Sequence, residues 1–140
     1  MKKLALTDFA KYRYPSALEL SPDGRYLTFA LKEVDREGDG YRWNLWLYDL
    51  ESRESRQITR GDDQRKAVWE DNTHILYKTT ELDEAMRARG FEEEWTVYHR
   101  LNVCTGEESE AFRLPMSVSG LWKMDEGRYV FTGETHLDRP

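Results

Sequence analysis

The sequence has a single cysteine, Cys104, so no disulfide can form within the chain. That thiol falls in a turn and reads as incidental rather than reactive. Basic charge is also short: 21 Lys and Arg face 27 Asp and Glu, for a formal net charge of −6. Nucleic acids and anionic membranes both reward a basic footprint, so neither is expected as a partner. Long apolar runs are missing too. Met1 to Leu6 carries two lysines, and no apolar core of about seven residues follows as a signal peptide would need. With no membrane-spanning segment either, the cytoplasm is the expected location.

Catalytic and metal-binding signatures are equally scarce. A nucleophile elbow needs Gly-x-Ser-x-Gly on a strand-to-helix turn, and no serine here sits between glycines in that way. His74, His99 and His136 are too far apart for a local metal motif, and no Cys/His cluster accompanies them. Each falls on a strand or strand end and reads as a packed or surface residue rather than a catalytic base. No catalytic residue, metal or cofactor is therefore expected on this chain.

What the sequence does contain is a recurring turn. Leu20-Ser21-Pro22-Asp23-Gly24-Arg25-Tyr26 has a hairpin mechanism built in. Pro22 presets φ, Asp23 can bond back to the backbone, and Gly24 tolerates positive φ. The pattern returns at Trp69-Glu70-Asp71-Asn72-Thr73-His74, with Asn72 as the substitute for the left-handed position, and again at Trp122 to Tyr129 around Asp125 and Gly127. In each copy an aromatic residue follows the aspartate by six positions: Phe29, Tyr77 and Phe131. The aspartates are 48 (71 − 23) and 54 (125 − 71) residues apart. A second turn keeps step with the first, since Asp49-Leu50-Glu51-Ser52-Arg53-Glu54 reappears as Asn102-Val103-Cys104-Thr105-Gly106-Glu107, 53 residues later (102 − 49).

Two turn signals sharing one period of about 50 residues predict repeated four-stranded β units, the blades of a propeller. Aromatic content of 13% suits strands that pack on both faces. Along Trp43-Asn44-Leu45-Trp46-Leu47-Tyr48-Asp49-Leu50, the residues Trp43, Leu45 and Leu47 fall on one face and Trp46, Tyr48 and Leu50 on the other, as in a strand covered on both sides.

The expected fold is thus all-β, a partial β-propeller of about two and a half four-stranded antiparallel blades. A lead-in covers residues 1–16, with one helical turn over Thr7 to Tyr12 ended by Pro15. One blade covers 17–60, a second 66–115, and an unfinished third 117–140. Within the second, Thr80 to Gly90 predicts an inserted helix: a Thr80 cap, acids in the first turn, Arg87 and Arg89 in the last, and Gly90 to stop it. Propellers close with four to eight blades, so the chain is expected to be part of a longer one. On its own it should self-associate through the open faces of its end blades.

These residues also carry a family resemblance. Leu6-Thr7-Asp8-Phe9, Leu20 to Gly24, Leu45-Trp46-Leu47-Tyr48-Asp49, Arg56-Gln57-Ile58-Thr59 and Val68-Trp69-Glu70-Asp71-Asn72, in this order and spacing, resemble the start of the N-terminal propeller of a prolyl oligopeptidase family serine peptidase, nearest to its acylaminoacyl-peptidase or dipeptidyl-peptidase-like bacterial branch. The resemblance spans nearly the whole chain. It implies a C-terminal α/β-hydrolase domain in the same parent chain that bears the serine nucleophile, with the propeller capping it and admitting short peptide substrates. In dipeptidyl-peptidase members a short acidic stretch inserted in the propeller captures the peptide amino terminus. Glu92-Glu93-Glu94, after the predicted helix, is similar in character and is the candidate substrate contact, although the residues around it do not follow that motif's order. A solvated charge run is the competing reading of the same residues. A stand-alone propeller that binds proteins without a hydrolase is the alternative function.

Overall fold

The computed structural model describes residues 14–34, 40–82, 84–90, 94–125 and 127–134. The chain forms antiparallel β-sheets of four, four and two strands, each a simple up-and-down meander. The first sheet runs β1 (Tyr14–Leu20), β2 (Tyr26–Val34), β3 (Tyr41–Asp49) and β4 (Glu54–Gln57). The second runs β5 (Val68–Trp69), β6 (His74–Leu82), β7 (Glu94–Asn102) and β8 (Glu108–Leu114). A third holds β9 (Ser117–Asp125) and β10 (Arg128–Glu134). The leading strands of successive sheets touch, β1 against β5 and β5 against β9.

The second kind of repeated turn is built as a hydrogen-bond replica, whereas the copies of the first share only an amide bond from two residues ahead at Asp23 and Asp71, and Asp125 bonds the Arg128 side chain instead. Asp23 Oδ1 accepts the Arg25 amide at 3.1 Å and the Ser21 hydroxyl at 2.7 Å, while Gly24 sits at φ +76°. Its successor Asp71 accepts the Thr73 and His74 amides, each at 2.8 Å. Burial works against the Asp71 carboxylate, but these amides and the His74 ring outweigh it and lower its pKa to about 2. Asn72, expected in the left-handed region, is not a positive-φ residue. The aspartate's two amide bonds close that turn without one.

At the β3–β4 turn Asp49 Oδ1 accepts the Glu51 amide at 2.9 Å and the Ser52 amide at 3.3 Å. At the β7–β8 turn Asn102 Oδ1 accepts Cys104 and Thr105 at 2.9 and 3.1 Å. The turns close with Arg53 donating to the Asp49 carbonyl at φ +60° and Gly106 donating to the Asn102 carbonyl at φ +82°. Arg53 thus occupies a left-handed position that its counterpart fills with glycine, and among the described residues it makes no ion pair. Arg53→Gly is expected to stabilise the protein by roughly 0.5 to 1 kcal/mol, relief of the left-handed penalty exceeding the added chain entropy. Urea unfolding checks this, and a lower midpoint for the variant would refute it.

Two interfaces join the sheets. Ala30, Leu45 and Leu47 of the first pack against Trp69, Ile75, Tyr77, Leu101 and Val103 of the second. On the second sheet's other face, Leu76 and Tyr98 meet Val118 and Leu121 of β9. The buried polar link between β4 and β5 is satisfied: Asn44 exchanges 3.0 Å bonds with Asp62, and Thr59 Oγ1 accepts the Leu45 amide at 2.8 Å. Phe29 and Leu31 point the opposite way from Ala30 and are fully buried, with Trp46 and Tyr48 against them. Trp122 and Val130 face each other across β9 and β10, and each is nearly half exposed.

Several expected boundaries move. Tyr14 to Ser16, expected in the lead-in, belong to β1, where Pro15 is tolerated because β1 is an edge strand. The helical turn over Thr7 to Tyr12 lies outside the described residues. The inserted helix is not 80–90: Thr80, Glu81 and Leu82 extend β6, paired with Thr96, Trp95 and Glu94. Ladder pairing outcompetes a Thr80 cap, and only a five-residue helix, α1 (Glu84–Ala88), remains before Gly90 at φ +88°. Arg89 lies beyond that helix. Leu50 is not part of the apolar face of β3 but an exposed turn residue, because the strand ends at Asp49.

Candidate functional site

A groove of about 650 Å³ lies between the edge of the first sheet and the β7–β8 end of the second. Ile58 and the largely buried Leu101 are among its apolar lining residues, as is Trp46, whose side chain packs with Phe29 and Leu31. Arg56, Arg60 and Glu108 supply charge. The groove runs along β4, the outer strand of the first sheet, and faces the end of β7 and the turn that follows it.

Beside the groove, alternation along β6 and β7 places Tyr77, Thr79 and His99 on one face. The His99 ring stacks on Tyr77 with centroids 5.2 Å apart. Its Nε2 lies 2.8 Å from the Thr79 hydroxyl and its Nδ1 3.7 Å from Glu108 Oε1. Glu108 also accepts the Tyr77 hydroxyl. Burial, reinforced by that bond, raises the Tyr77 pKa, and burial alone pushes Tyr98 up to about 12. The series hydroxyl, imidazole, carboxylate has the outline of a nucleophile with its base, but not its working geometry. Glu108 is beyond hydrogen-bond reach of Nδ1, and Thr79 sits mid-strand opposite Val97, where ladder pairing commits the neighbouring amides. The array acts as a polar seam that orients the ring.

A second polar cluster ties the second sheet to the third. Glu70 accepts Arg100 Nε at 2.5 Å, Arg100 Nη2 at 3.0 Å and the Tyr129 hydroxyl at 2.6 Å. Burial raises the Glu70 pKa, but these bonds outweigh it and hold the carboxyl below its usual range. With every member engaged by another, the cluster is a clamp.

Of the expected substrate contacts, Glu92 and Glu93 lie outside the described residues. Glu94 opens β7 as an exposed residue in register with Leu82. His74 starts β6 and its Nδ1 lies 3.0 Å from Asp71, while His136 is outside the described residues. Cys104 is exposed in its turn, 3.5 Å from the Tyr26 hydroxyl. Among the described residues no group of three His, Cys, Asp or Glu side chains could hold a metal ion. No described helix is long and apolar enough to cross a membrane. The groove was not visible in the sequence, since it depends on where two sheets lie relative to each other. Neither a protein-family model nor a curated protein matches this sequence.

Proposed function

We propose that the chain is the opening portion of a β-propeller and serves without catalytic residues of its own. It caps the active site of a prolyl oligopeptidase family serine peptidase, whose C-terminal α/β-hydrolase domain hydrolyses short peptides, and it restricts which substrates enter. The observation that carries the propeller is the stacking of three meandering sheets with their leading strands in contact. The matched turns support it by repeating bond for bond. So does the far face of the third sheet, where Trp122 and Val130 form an apolar surface suited to a further blade. The peptidase assignment rests on the ordered motifs of the sequence, and the cytoplasm is its proposed compartment.

The test is to purify the natural gene product containing these residues from cells and treat it with a fluorophosphonate probe. Labelling of a serine outside residues 1–140, with hydrolysis of short peptides, is the expected result. A product that contains further blades but takes no label would overturn the peptidase reading and leave a protein-binding propeller.

A further inference from the structure

The arginines of this acidic chain are mostly neutralised in place. Arg25 meets Asp49 and Glu51, Arg42 meets Glu33, Arg65 meets Asp63, Arg100 meets Glu70, Arg113 meets Glu81 and Glu110, and Arg128 meets Asp125. Among the described residues four arginines, Arg53, Arg56, Arg60 and Arg89, make no such pair, and two of these line the groove. Arg56 donates only to the Val103 carbonyl, and Arg60 is exposed; neither makes an ion pair among the described residues. The groove's own carboxylate, Glu108, is engaged by Tyr77 and faces His99. The two guanidinium groups therefore outnumber the one carboxylate, Glu108, in a groove whose lining also includes Ile58 and Leu101.

We propose that this groove is a binding site for an apolar monocarboxylate, held by Arg60 and Arg56 at its charged end and by Ile58 and Leu101 along its hydrocarbon body. Guanidinium is the side chain best matched to a carboxylate, because its planar fork can donate two parallel bonds. The apolar lining separates this ligand from a bare anion: phosphate or acetate would gain nothing from it, whereas a body of several carbons buries area there. A volume of about 650 Å³ is in the range of small-ligand clefts and far exceeds that of a lone anion. The site goes beyond the capping role and needs no hydrolase, so its test is independent of that reading.

The test is an amide-resolved NMR titration of the natural gene product, segmentally labelled over residues 1–140, with N-acetyl-leucine, N-acetyl-leucinamide, hexanoate, acetate and phosphate. N-acetyl-leucine and hexanoate should shift the amides of Arg60, Asn102 and Gly106 in a saturable way. Tighter binding of N-acetyl-leucine than hexanoate would identify a peptide C-terminus as the source, and the reverse a simple acid. The uncharged amide should bind about ten-fold more weakly, as should the acid to Arg60→Ala. Arg60→Ala is suited to the purpose because Arg60 is exposed and makes no ion pair among the described residues, so the fold should survive it, and Arg60→Lys should recover part of the loss. Equal binding of acid and amide, binding of acetate or phosphate as strong as that of the apolar acids, no saturable shift, or an unchanged Arg60→Ala would each overturn the proposal.

Discussion

Trp69→Ala is expected to lower stability by about 3 to 5 kcal/mol, the range for removing a large buried aromatic. Total stabilities of single domains are about 5 to 15 kcal/mol, so this loss threatens the folded state itself. The position is unusually exposed to such a loss. Strand β5 is only Val68–Trp69, with two residue pairs to β6, so its side chains hold it in place as much as its ladder does. Trp69 is 8% exposed, and its indole Nε1 donates to the Glu19 carbonyl at 3.1 Å. That carbonyl is also bonded by the Thr28 hydroxyl and lies at the bulge in β1 where Ala17 takes φ +51°. The ring stacks on Tyr26, with centroids 6.3 Å apart. The indole thus joins the leading strands of two sheets. Urea unfolding followed by circular dichroism reads the effect. Trp69→Phe should recover roughly half of it, keeping an aromatic body but leaving the Glu19 carbonyl with one donor fewer. A fall below about 1 kcal/mol for the alanine variant would show that the sheets do not depend on this contact.

Thr96→Val should cost roughly 2 to 4 kcal/mol, although it barely changes shape and favours a strand as well as threonine does. Thr96 is fully buried on β7. Its Oγ1 donates to the Met116 carbonyl at 2.7 Å and accepts the Val118 amide at 3.1 Å, tying the start of β9 to the second sheet. Valine would strand both backbone groups in an apolar setting, at about 1 to 3 kcal/mol each when no water reaches them. Hydrogen exchange locates the damage: β9 and β10 should open at lower free energy while the first sheet keeps its protection. Thr96→Ser, which retains the hydroxyl, should stay close to the parent. Equal loss for serine and valine would assign the effect to packing rather than to the two bonds.

Much of this architecture is legible in the residues. The two turns announce themselves because their chemistry is local: Asp49, Asp71 and Asn102 bond amides two and three residues ahead, and Asp23 the amide two ahead. The period follows from their recurrence. The two-faced apolar pattern of β3 is equally local, and Leu45 and Leu47 do face one neighbour while Trp46 and Tyr48 face the other way. Where the reading failed, a distant partner had decided. Thr80 to Leu82 carry helix signals, yet three ladder pairs with β7 hold them in a strand. The bulge in β1 has no signature of its own, since its freed carbonyl is satisfied by Thr28 and Trp69 from elsewhere in the chain.

The candidate sites divide in the same way. Glu92 to Glu94 drew attention because three acids in a row are visible in one dimension, whereas Arg56 and Arg60 are unremarkable along the chain. Their interest arises only once the first sheet's edge stands against Leu101 and Glu108, more than 40 residues on (101 − 60). The sequence by itself determined the all-β class, the turns and the repeat, because these depend on backbone conformation and hydrogen bonds within a few residues. Tertiary structure alone decided which distant carboxylates Arg25 and Arg100 met, where β6 ended and where a groove was left open, because those outcomes depend on which distant groups arrive within a few ångströms of one another.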